Sequence, residues 1–294
     1  MNNEPVSAPG RTMELLRRHG ITLKKSLGQN FVVDTNVLKR IVDAAELAPR
    51  KGVLEIGPGI GALTEQLALA AGRVVAVEID GRLLPALREM AAAHGNVEIV
   101  HADILKTDLR RLFETHFADM DAVSVAANLP YYATTPIIMR LLETRLPLEH
   151  IVVMVQKEVA DRMGASPGTK DYGSLSVAVQ FYCEAKVIAA VPPSVFIPRP
   201  DVDSAVIRLT MRRQPAAAVS DEKFFFEVVR AAFAQRRKTI LNNMQAKFGK
   251  ACKADLAALL ENIGIDPGRR GETLSIAEFA ALSEALLEAY PKPG

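Results

Sequence analysis

The sequence predicts an α/β fold with a parallel sheet, followed by a smaller domain built of helices alone. Three observations lead to this prediction. Short apolar strands alternate with helices between about residues 53 and 163, which is typical of a parallel sheet covered on both faces. Three later strand-like segments have no helices between them, so we expect the sheet to end in an antiparallel section. Beyond residue 219 only helical spacing is found.

The first part of the chain contains five continuous apolar runs that fit buried strands. These strands are predicted at residues 53–56, 73–78, 97–100, 122–127 and 151–156. Helices are predicted at residues 12–19, 35–46, 62–71, 82–94, 135–143 and 157–163. Asp34 or Thr35 can cap the helix that runs to about residue 46, because both side chains accept from free backbone N–H groups.

The second part of the chain changes from strands to helices. The later strands are predicted at residues 175–182, 185–191 and 205–211, and the helices at 221–234, 236–248, 253–261 and 275–289. Two arginines, then Gln-Pro and alanines, indicate a linker. We therefore divide the chain into a tail (1–23), an α/β domain (24–211), a linker (212–219) and a helical domain (220–294).

Composition excludes several classes of protein. The 294 residues are 49% hydrophobic and 24% charged, which favours a folded core over disorder. No apolar run approaches the roughly 18–20 residues of a membrane span, and the first ten residues lack the apolar core of a signal peptide. Cys183 and Cys252 are far apart, and the histidines show no metal-binding spacing. We expect a cytoplasmic protein without a metal or membrane association, and a monomer.

The net charge of +2 conceals two basic segments. Residues 228–254 carry seven basic side chains and no acid, and residues 11–25 carry five against one acid. Solvated helix charge is one explanation, but ordinary exposed helices mix both signs. We interpret the later segment as a phosphate-binding face for nucleic acid, with Arg236, Arg237 and Lys238 as the best candidates.

A glycine-rich turn follows the first strand and opens a helix. Gly57 and Gly59 allow the backbone to turn sharply and to approach a ligand closely. Glu78 ends the next strand, 21 residues after Gly57, where an acid can bind both hydroxyls of a ribose. A ligand-free turn and a dinucleotide-dependent dehydrogenase both fit this pattern. Glu55 and Gly61 favour an S-adenosylmethionine methyltransferase instead.

Asp103 follows the third strand and is expected at the same edge of the sheet. Its carboxylate can accept a hydrogen bond from the exocyclic amine of adenine. The alternative is a helix-capping aspartate without a ligand.

The run Asn128-Leu129-Pro130-Tyr131-Tyr132 directly after the fourth strand carries the most chemical information. An exocyclic amine of adenine is a poor nucleophile, because its lone pair is delocalised into the ring. The amide oxygen of Asn128 and the backbone carbonyl of Pro130, whose direction the proline ring fixes, can accept its two N–H groups and favour a tetrahedral nitrogen. Tyr131 offers a face on which a flipped base can stack. This loop therefore predicts methylation of an amine.

These motifs together resemble the ribosomal RNA adenine N6-dimethyltransferases over about residues 24–239. The matching segments are residues 26–31 (SLGQNF), the Gly57 turn, Glu78, Asp103, residues 128–131 (NLPY), residues 196–204 (FIPRPDVDS) and residues 232–239 (AFAQRRKT). Within the family, the sequence is most similar to the KsgA/RsmA branch. That branch dimethylates two adjacent adenosines near the 3′ end of small-subunit (16S) ribosomal RNA during subunit assembly.

The resemblance implies a Rossmann-like class I S-adenosylmethionine methyltransferase domain plus a small C-terminal all-α domain. It implies that S-adenosylmethionine is bound by Gln29, Asn30, Val32, Gly57, Gly59, Glu78, Asp103 and Asn128. It also implies that Phe196 stacks on the target base opposite Tyr131; the alternative is a core phenylalanine in a proline-stiffened loop. The alternatives are a large-subunit dimethyltransferase of the antibiotic-resistance type, a dehydrogenase and a non-catalytic ribosome-assembly factor.

Overall fold

The computed structural model describes residues 4–22, 29–249 and 253–290. The first three residues of the SLGQNF motif lie outside the described residues, as do Lys24, Lys25, Lys250 and Cys252. Within the described residues, no helix is long and apolar enough to span a membrane.

The chain divides into two compact units. The first comprises Met1–Ala160 and Ala185–Met211, and the second comprises Asp161–Glu184 and Arg212–Gly294. Residues 161–184, which the sequence pattern places in the α/β domain, are grouped by their contacts with the C-terminal helices. The division at residue 211 coincides with the start of the predicted linker.

A seven-stranded sheet forms the centre of the first unit, and a two-stranded ribbon lies beside its cleft. The strands among the described residues are β1 (Phe31–Val32), β2 (Lys51–Ile56), β3 (Arg73–Glu78), β4 (Val97–His101), β5 (Ala122–Asn128), β6 (Leu148–Gln156), β7 (Cys183–Val191), β8 (Phe196–Ile197) and β9 (Ser204–Met211). The sheet has the order β4-β3-β2-β5-β6-β9-β7, and β1 pairs with β8. Strands β2 to β6 pair in parallel, and β9 pairs antiparallel with β6, which confirms the predicted change of direction.

The helices of the first unit bury their apolar faces against this sheet. They are α1 (Pro9–Arg18), α2 (Thr35–Ala44), α3 (Ala62–Ala70), α4 (Leu84–Ala91), α5 (Leu109–His116) and α6 (Thr134–Glu143), and α7 (Lys157–Gly164) continues into the second unit. Asp34 caps α2 by accepting from the backbone N–H groups of Asn36 and Val37. Ile41 and Leu67 are completely buried in the core that α2 and α3 share with the sheet. Burial of these apolar stripes is the main stabilising contribution to this layer.

The strand order places a ligand-binding edge at the centre of the sheet. From β2 the chain proceeds outward to β3 and β4 and then returns to the other side of β2 as β5. The carboxyl ends of β2, β3 and β5 therefore lie next to one another at the point where the direction of winding reverses. Such a point leaves a crevice between the loops that follow the strands.

The second unit is helical and has an aromatic core. Its helices are α8 (Ser174–Tyr182), α9 (Glu222–Ala232), α10 (Ile240–Lys247), α11 (Lys253–Asn262) and α12 (Ile276–Ala289). The Phe181 ring stacks on Phe225 with centroids 4.8 Å apart and meets Tyr182 and Phe226 edge to face. These contacts group α8 with the C-terminal helices.

Three predictions about elements were wrong. Residues 175–182, predicted as a strand, form α8. Almost all of these residues are buried, so the spacing of apolar residues along the segment does not distinguish a helix from a strand. Helix α5 was not predicted, although Asp108 caps it by accepting from the Arg111 N–H. Residues 236–239 precede α10 as a turn, because the Thr239 hydroxyl caps that helix.

Candidate active site

A cleft opens at the carboxyl ends of β2, β3 and β5. It is a concave site that is partly open to solvent, as small-molecule sites in proteins commonly are. Its walls come from the segment around β1, the glycine-rich turn, the end of β3 and the loop after β5. The residues that line it are Gln29, Asn30, Phe31, Val32, Leu38, Glu55, Gly57, Pro58, Gly59, Ala62, Leu63, Glu78, Ile79, Leu83, Asn128, Leu129, Pro130, Tyr131 and Tyr132.

The glycine-rich turn needs glycine for two different reasons. Gly57 has φ +69°, and a Cβ at this position would meet nothing within 4 Å, so its backbone faces open space. Gly59 has φ +64°, and a Cβ there would lie 2.7 Å from the Phe31 ring. Both backbone conformations disfavour L-residues. The turn therefore presents bare backbone to the cleft at Gly57 and packs against β1 at Gly59.

Glu78 is buried at the end of β3, and both of its carboxylate oxygens accept from backbone N–H groups. The Asp80 N–H donates to Oε1 at 2.7 Å and the Gly59 N–H donates to Oε2 at 3.1 Å. Burial raises the pKa of Glu78, and these two N–H donors oppose the rise. Each oxygen has further lone pairs, so the fixed carboxylate can still accept from ligand hydroxyls.

Glu55 is a second buried carboxyl in the cleft wall, and the sequence analysis gave it no role in binding. It is 1% exposed, and its Oε2 and the nearby Thr64 Oγ1 are without hydrogen-bond partners among the described residues. Burial raises the pKa of Glu55 to about 8, and the charge of Glu78 adds to the rise. Glu55 is therefore largely protonated at neutral pH.

The Asn128 amide is oriented by the backbone of the N-terminal segment. Its Nδ2 donates to the Asn30 carbonyl at 2.8 Å, which identifies the amide nitrogen and leaves Oδ1 as the acceptor on the other side. Asn128 ends β5 and also lines the cleft. The side chain thus offers an acceptor oxygen of fixed direction.

The carbonyls after Asn128 differ in what they already bind. The Pro130 carbonyl accepts from the Ala133 N–H at 3.0 Å and from the Thr134 hydroxyl at 3.2 Å, so both of its lone pairs are engaged. The Leu129 carbonyl has no donor within the described part of the chain, while the Leu129 N–H donates to Met154. These contacts favour Leu129 over the expected Pro130 as the second acceptor in the loop.

Tyr131 is held by the last motif of the α/β domain. Its hydroxyl shares a 2.8 Å hydrogen bond with Oγ of Ser204, which is completely buried at the start of β9. Burial raises the pKa of this phenol. The neighbouring Tyr132 is 61% exposed, so the two tyrosines present one fixed and one accessible ring beside the cleft.

Phe196 and Val32 lie opposite each other in the β1–β8 ribbon. Both are buried, at 4% exposure each, and Val32 lines the cleft whereas Phe196 does not. Phe196 belongs to the apolar core of the first unit. This position agrees with the alternative of a core phenylalanine and not with a ring that is exposed for stacking. Val32 contributes backbone and an apolar wall.

Asp103 lies at the same sheet edge but outside the cleft lining. Its neighbour Ala102 donates to the Glu78 carbonyl at 3.0 Å, which fixes its position beside the end of β3. Oδ1 of Asp103 accepts from the Leu105 N–H at 2.9 Å, and Oδ2 lies 3.8 Å from the Lys106 ammonium. The carboxylate is half-buried in a turn and caps no helix.

The three predicted phosphate-binding residues lie between α9 and α10 and are all exposed. Arg236 is already engaged, because it donates to Glu272 at 2.8 Å and to the Lys170 carbonyl at 2.7 Å. Arg237 and Lys238 form no ion pair with any described residue. The structure therefore separates one structural arginine from two available cations.

One group of possible metal ligands, Glu46, Glu149 and His150, lies at the opposite edge of the sheet from the cleft. Arg208 donates to Glu46 at 2.6 Å and Lys51 donates to Glu149 at 2.6 Å, so both carboxylates already have cationic partners.

Cys183 is buried, and burial raises its pKa to about 12. This thiol is therefore not a nucleophile at neutral pH.

Comparison with known proteins places nearly the whole chain in one protein family. Residues 20–286 match the family described as Ribosomal RNA adenine dimethylase. The chain is 59% identical over 286 residues to Ribosomal RNA small subunit methyltransferase A of Geobacillus sp. WCH70, covering 97% of this chain and 98% of that protein. It is 60% identical over 288 residues to the protein of the same name from Anoxybacillus flavithermus, covering 97% of each.

Two solved structures share the fold over most of the chain. A dimethyladenosine transferase from Plasmodium falciparum superimposes with a TM-score of 0.73 at 26% identity, covering 88% of this chain and 98% of that one. The 23S rRNA methyltransferase ErmE superimposes with a TM-score of 0.65 at 30% identity, covering 87% and 99%.

Proposed function

Because the chain belongs to the ribosomal RNA adenine dimethylase family, we propose that it dimethylates N6 of two adjacent adenosines near the 3′ end of small-subunit ribosomal RNA. The protein is an rRNA adenine methyltransferase. The curated relatives named for the small subunit are up to 60% identical, which favours this subunit over the large one. A small-subunit substrate implies that the enzyme acts in the cytoplasm, where we expect it to meet assembling subunits.

The orientation of the Asn128 amide is the observation that carries the chemical proposal. The Asn30 carbonyl holds Nδ2, so Oδ1 is the acceptor that remains for a substrate. Oδ1 and the Leu129 carbonyl accept the two N–H groups of adenine N6. These two bonds favour a tetrahedral nitrogen, localise its lone pair and direct it toward the methyl donor. The proton leaves N6 only after the methyl group has been added, so no histidine or cysteine is needed in the cleft.

The residues of the cleft fit S-adenosylmethionine. Gly57 offers open space where a side chain would otherwise stand, and Glu78 offers a fixed carboxylate for the ribose hydroxyls. Asp103 would accept from the adenine amine of the cofactor, and Gln29, Asn30 and Val32 would form the remaining wall. When bound, S-adenosylmethionine supplies a methyl group on a positively charged sulfur, which makes that carbon electrophilic.

The substrate base must leave its stack to reach the cleft. Tyr131, fixed through Ser204, would stack on the flipped adenine and hold its plane. Phe196 was expected to take the opposite face, but a side chain that is 4% exposed would have to move to do so. The ring of Tyr132 lines the cleft and is exposed, so it is the better candidate for that face.

The test is labelled methyl transfer from S-adenosylmethionine to separated ribosomal subunits that lack the modification. We expect label in small subunits, little in large subunits and none with Asn128→Ala. Label mainly in large subunits would support the antibiotic-resistance alternative. RNA binding without any label would support a non-catalytic assembly factor.

A further inference from the structure

Asp80 and Arg82 form an ion pair at the rim of the cleft, just beyond Glu78. Arg82 Nε donates to Asp80 Oδ1 at 2.8 Å, and Arg82 Nη2 donates to Oδ2. The Asp80 side chain is 7% exposed and that of Arg82 is 33% exposed. A carboxylate this deeply buried is stable only when its oxygens are hydrogen-bonded.

This pair contacts the N-terminal part of the chain on both sides of residues 23–28. Gln29 Nε2 donates to Asp80 Oδ2 at 2.8 Å. Arg82 Nη1 donates to the Thr22 carbonyl at 3.0 Å. Charge assistance makes these bonds stronger than contacts between neutral groups. The pair therefore ties Thr22 and Gln29 to the end of β3.

Residues 29–32, here called the strap, connect this anchor to the reactive side of the cleft. All four line the cleft. The Asn30 carbonyl accepts from Asn128 Nδ2, and the Phe31 ring packs on Gly59. A displaced strap would therefore alter both the cofactor wall and the direction of the Asn128 amide.

Asp80 also acts on Glu78 through the backbone. The Asp80 N–H donates to Glu78 Oε1, so one residue holds the ribose-binding carboxylate with its backbone and the strap with its side chain.

We propose that Asp80, itself held by Arg82, is a positioning residue for methyl transfer, which holds the strap against the cleft through Gln29 and thereby sets the cofactor wall and the Asn128 amide. The inference rests on the proposed function, since it assumes that the cleft binds S-adenosylmethionine. The Arg82 hydrogen bonds lower the pKa of Asp80 to about 2, so this anchor stays ionised throughout the neutral range.

The test compares Asp80→Asn with the wild-type chain by calorimetric binding of S-adenosylmethionine, steady-state kinetics and melting temperature. The variant keeps one acceptor oxygen but loses the charge. We expect the cofactor Kd and KM to rise about tenfold, as for loss of a charge-assisted hydrogen bond. We expect kcat at saturating cofactor to fall less than about threefold, because bound cofactor restores the strap through the cleft wall.

Two further variants separate positioning from general stability. Asp121→Asn removes a bidentate pair of the same geometry on the exposed surface, since Arg50 donates to both Asp121 oxygens at 2.7 Å, and it should leave the Kd unchanged. Gln29→Ala removes the donor to Asp80 together with part of the cleft wall, and should raise the Kd in the same direction as Asp80→Asn. It should add little in the double variant, because both changes break one interaction.

A folded Asp80→Asn protein that binds S-adenosylmethionine as tightly as wild type would overturn the inference. If Asp80→Asn does not fold, the Kd of Gln29→Ala for S-adenosylmethionine is the test. An unchanged Kd in Gln29→Ala would also overturn the positioning role of Asp80. A wild-type chain that binds no S-adenosylmethionine would contradict the proposed function instead.

Discussion

At the scale of single residues, the chemistry of the cleft depends on which polar atoms are already engaged. The Pro130 carbonyl has two donors, the Asn128 amide nitrogen has one acceptor, and the Leu129 carbonyl has no described donor. The sequence motif identifies the residues of this loop but not which of its oxygens are available. The three-dimensional contacts favour Asn128 and Leu129 as the two proposed acceptors.

Replacing Asn128 tests the first of these acceptors. We expect Asn128→Ala to lower kcat by about 10²-fold or more, because a preorganised hydrogen-bond partner of the reacting group is lost. Its affinity for RNA should stay near the wild-type value, since the amide contributes little to phosphate binding. Asn36→Ala is the matched control, as Asn36 is exposed on α2. Single-turnover methyl transfer measures the rate, and wild-type rates in Asn128→Ala would refute its role.

Glu55 predicts a pH dependence of stability. Its pKa of about 8 in the folded chain exceeds the ordinary value of 4.5, so the folded state binds the proton more tightly than the unfolded state. The free energy of unfolding should therefore decline as the pH rises from about 4.5 to about 8. Glu55→Gln removes this contribution. The free energy of unfolding of this variant should therefore decline over the same pH range by less than that of the wild type, with a difference on the order of a few kcal/mol.

Urea unfolding of both proteins at several pH values measures this difference. Glu78 is present in both proteins, so its own raised pKa largely cancels in the comparison. Parallel pH profiles for wild type and Glu55→Gln would show that Glu55 is not protonated by burial in the folded chain.

At the scale of elements, distant motifs meet because the sheet brings strand ends together. The loop after β5 and the start of β9 are joined by the hydrogen bond between the Tyr131 hydroxyl and Ser204. The sequence contained both residues in separate motifs, but nothing in their spacing indicated that they touch. This bond fixes the ring on which the target base is proposed to stack.

Tyr131→Phe and Ser204→Ala remove this bond from either side. We expect each to lower kcat/KM for RNA by about 2- to 10-fold, as for loss of one hydrogen bond between neutral groups. The kcat/KM of the double variant should be no lower than that of the more impaired single variant, because both substitutions break the same bond. A methylation assay with varied RNA concentration measures these values, and additive losses would contradict the coupling.

The elements themselves could be predicted where the local signals are strong. The parallel strands, the glycine turn and the cap of α2 follow from apolar runs and residue chemistry. The segment 174–182 could not be assigned, because a helix buried all round shows no amphipathic period. The strap and its Asp80 anchor could not be predicted either, since their contacts join residues about 50 positions apart.

At the scale of the whole molecule, a net charge of +2 says little about RNA binding, because the relevant charges are local. Of the three arginine and lysine residues before α10, Arg236 is bound to Glu272, and only Arg237 and Lys238 remain available for phosphates. The sequence identified the basic run but not which of its members are engaged.

We expect Arg237→Ala with Lys238→Ala to weaken RNA binding and to reduce the slope of log affinity against log salt by about 1 to 2, because up to two phosphate contacts are lost. Arg236→Ala should change the slope less and lower the melting temperature. Lys39→Ala with Arg40→Ala removes two adjacent exposed cations from α2 and serves as the control. An unchanged slope in the first double variant would exclude this surface from phosphate binding.

The proposed activity places two methyl groups on N6 of adjacent adenosines in small-subunit ribosomal RNA. The most direct measurement is mass spectrometry of nuclease fragments from unmodified small subunits incubated with the chain and S-adenosylmethionine. We predict N6,N6-dimethyladenosine at two neighbouring positions near the 3′ end, and unmodified adenosine at both positions with Asn128→Ala. Methyl groups found on a ring carbon, on the ribose or only in large-subunit RNA would contradict the account.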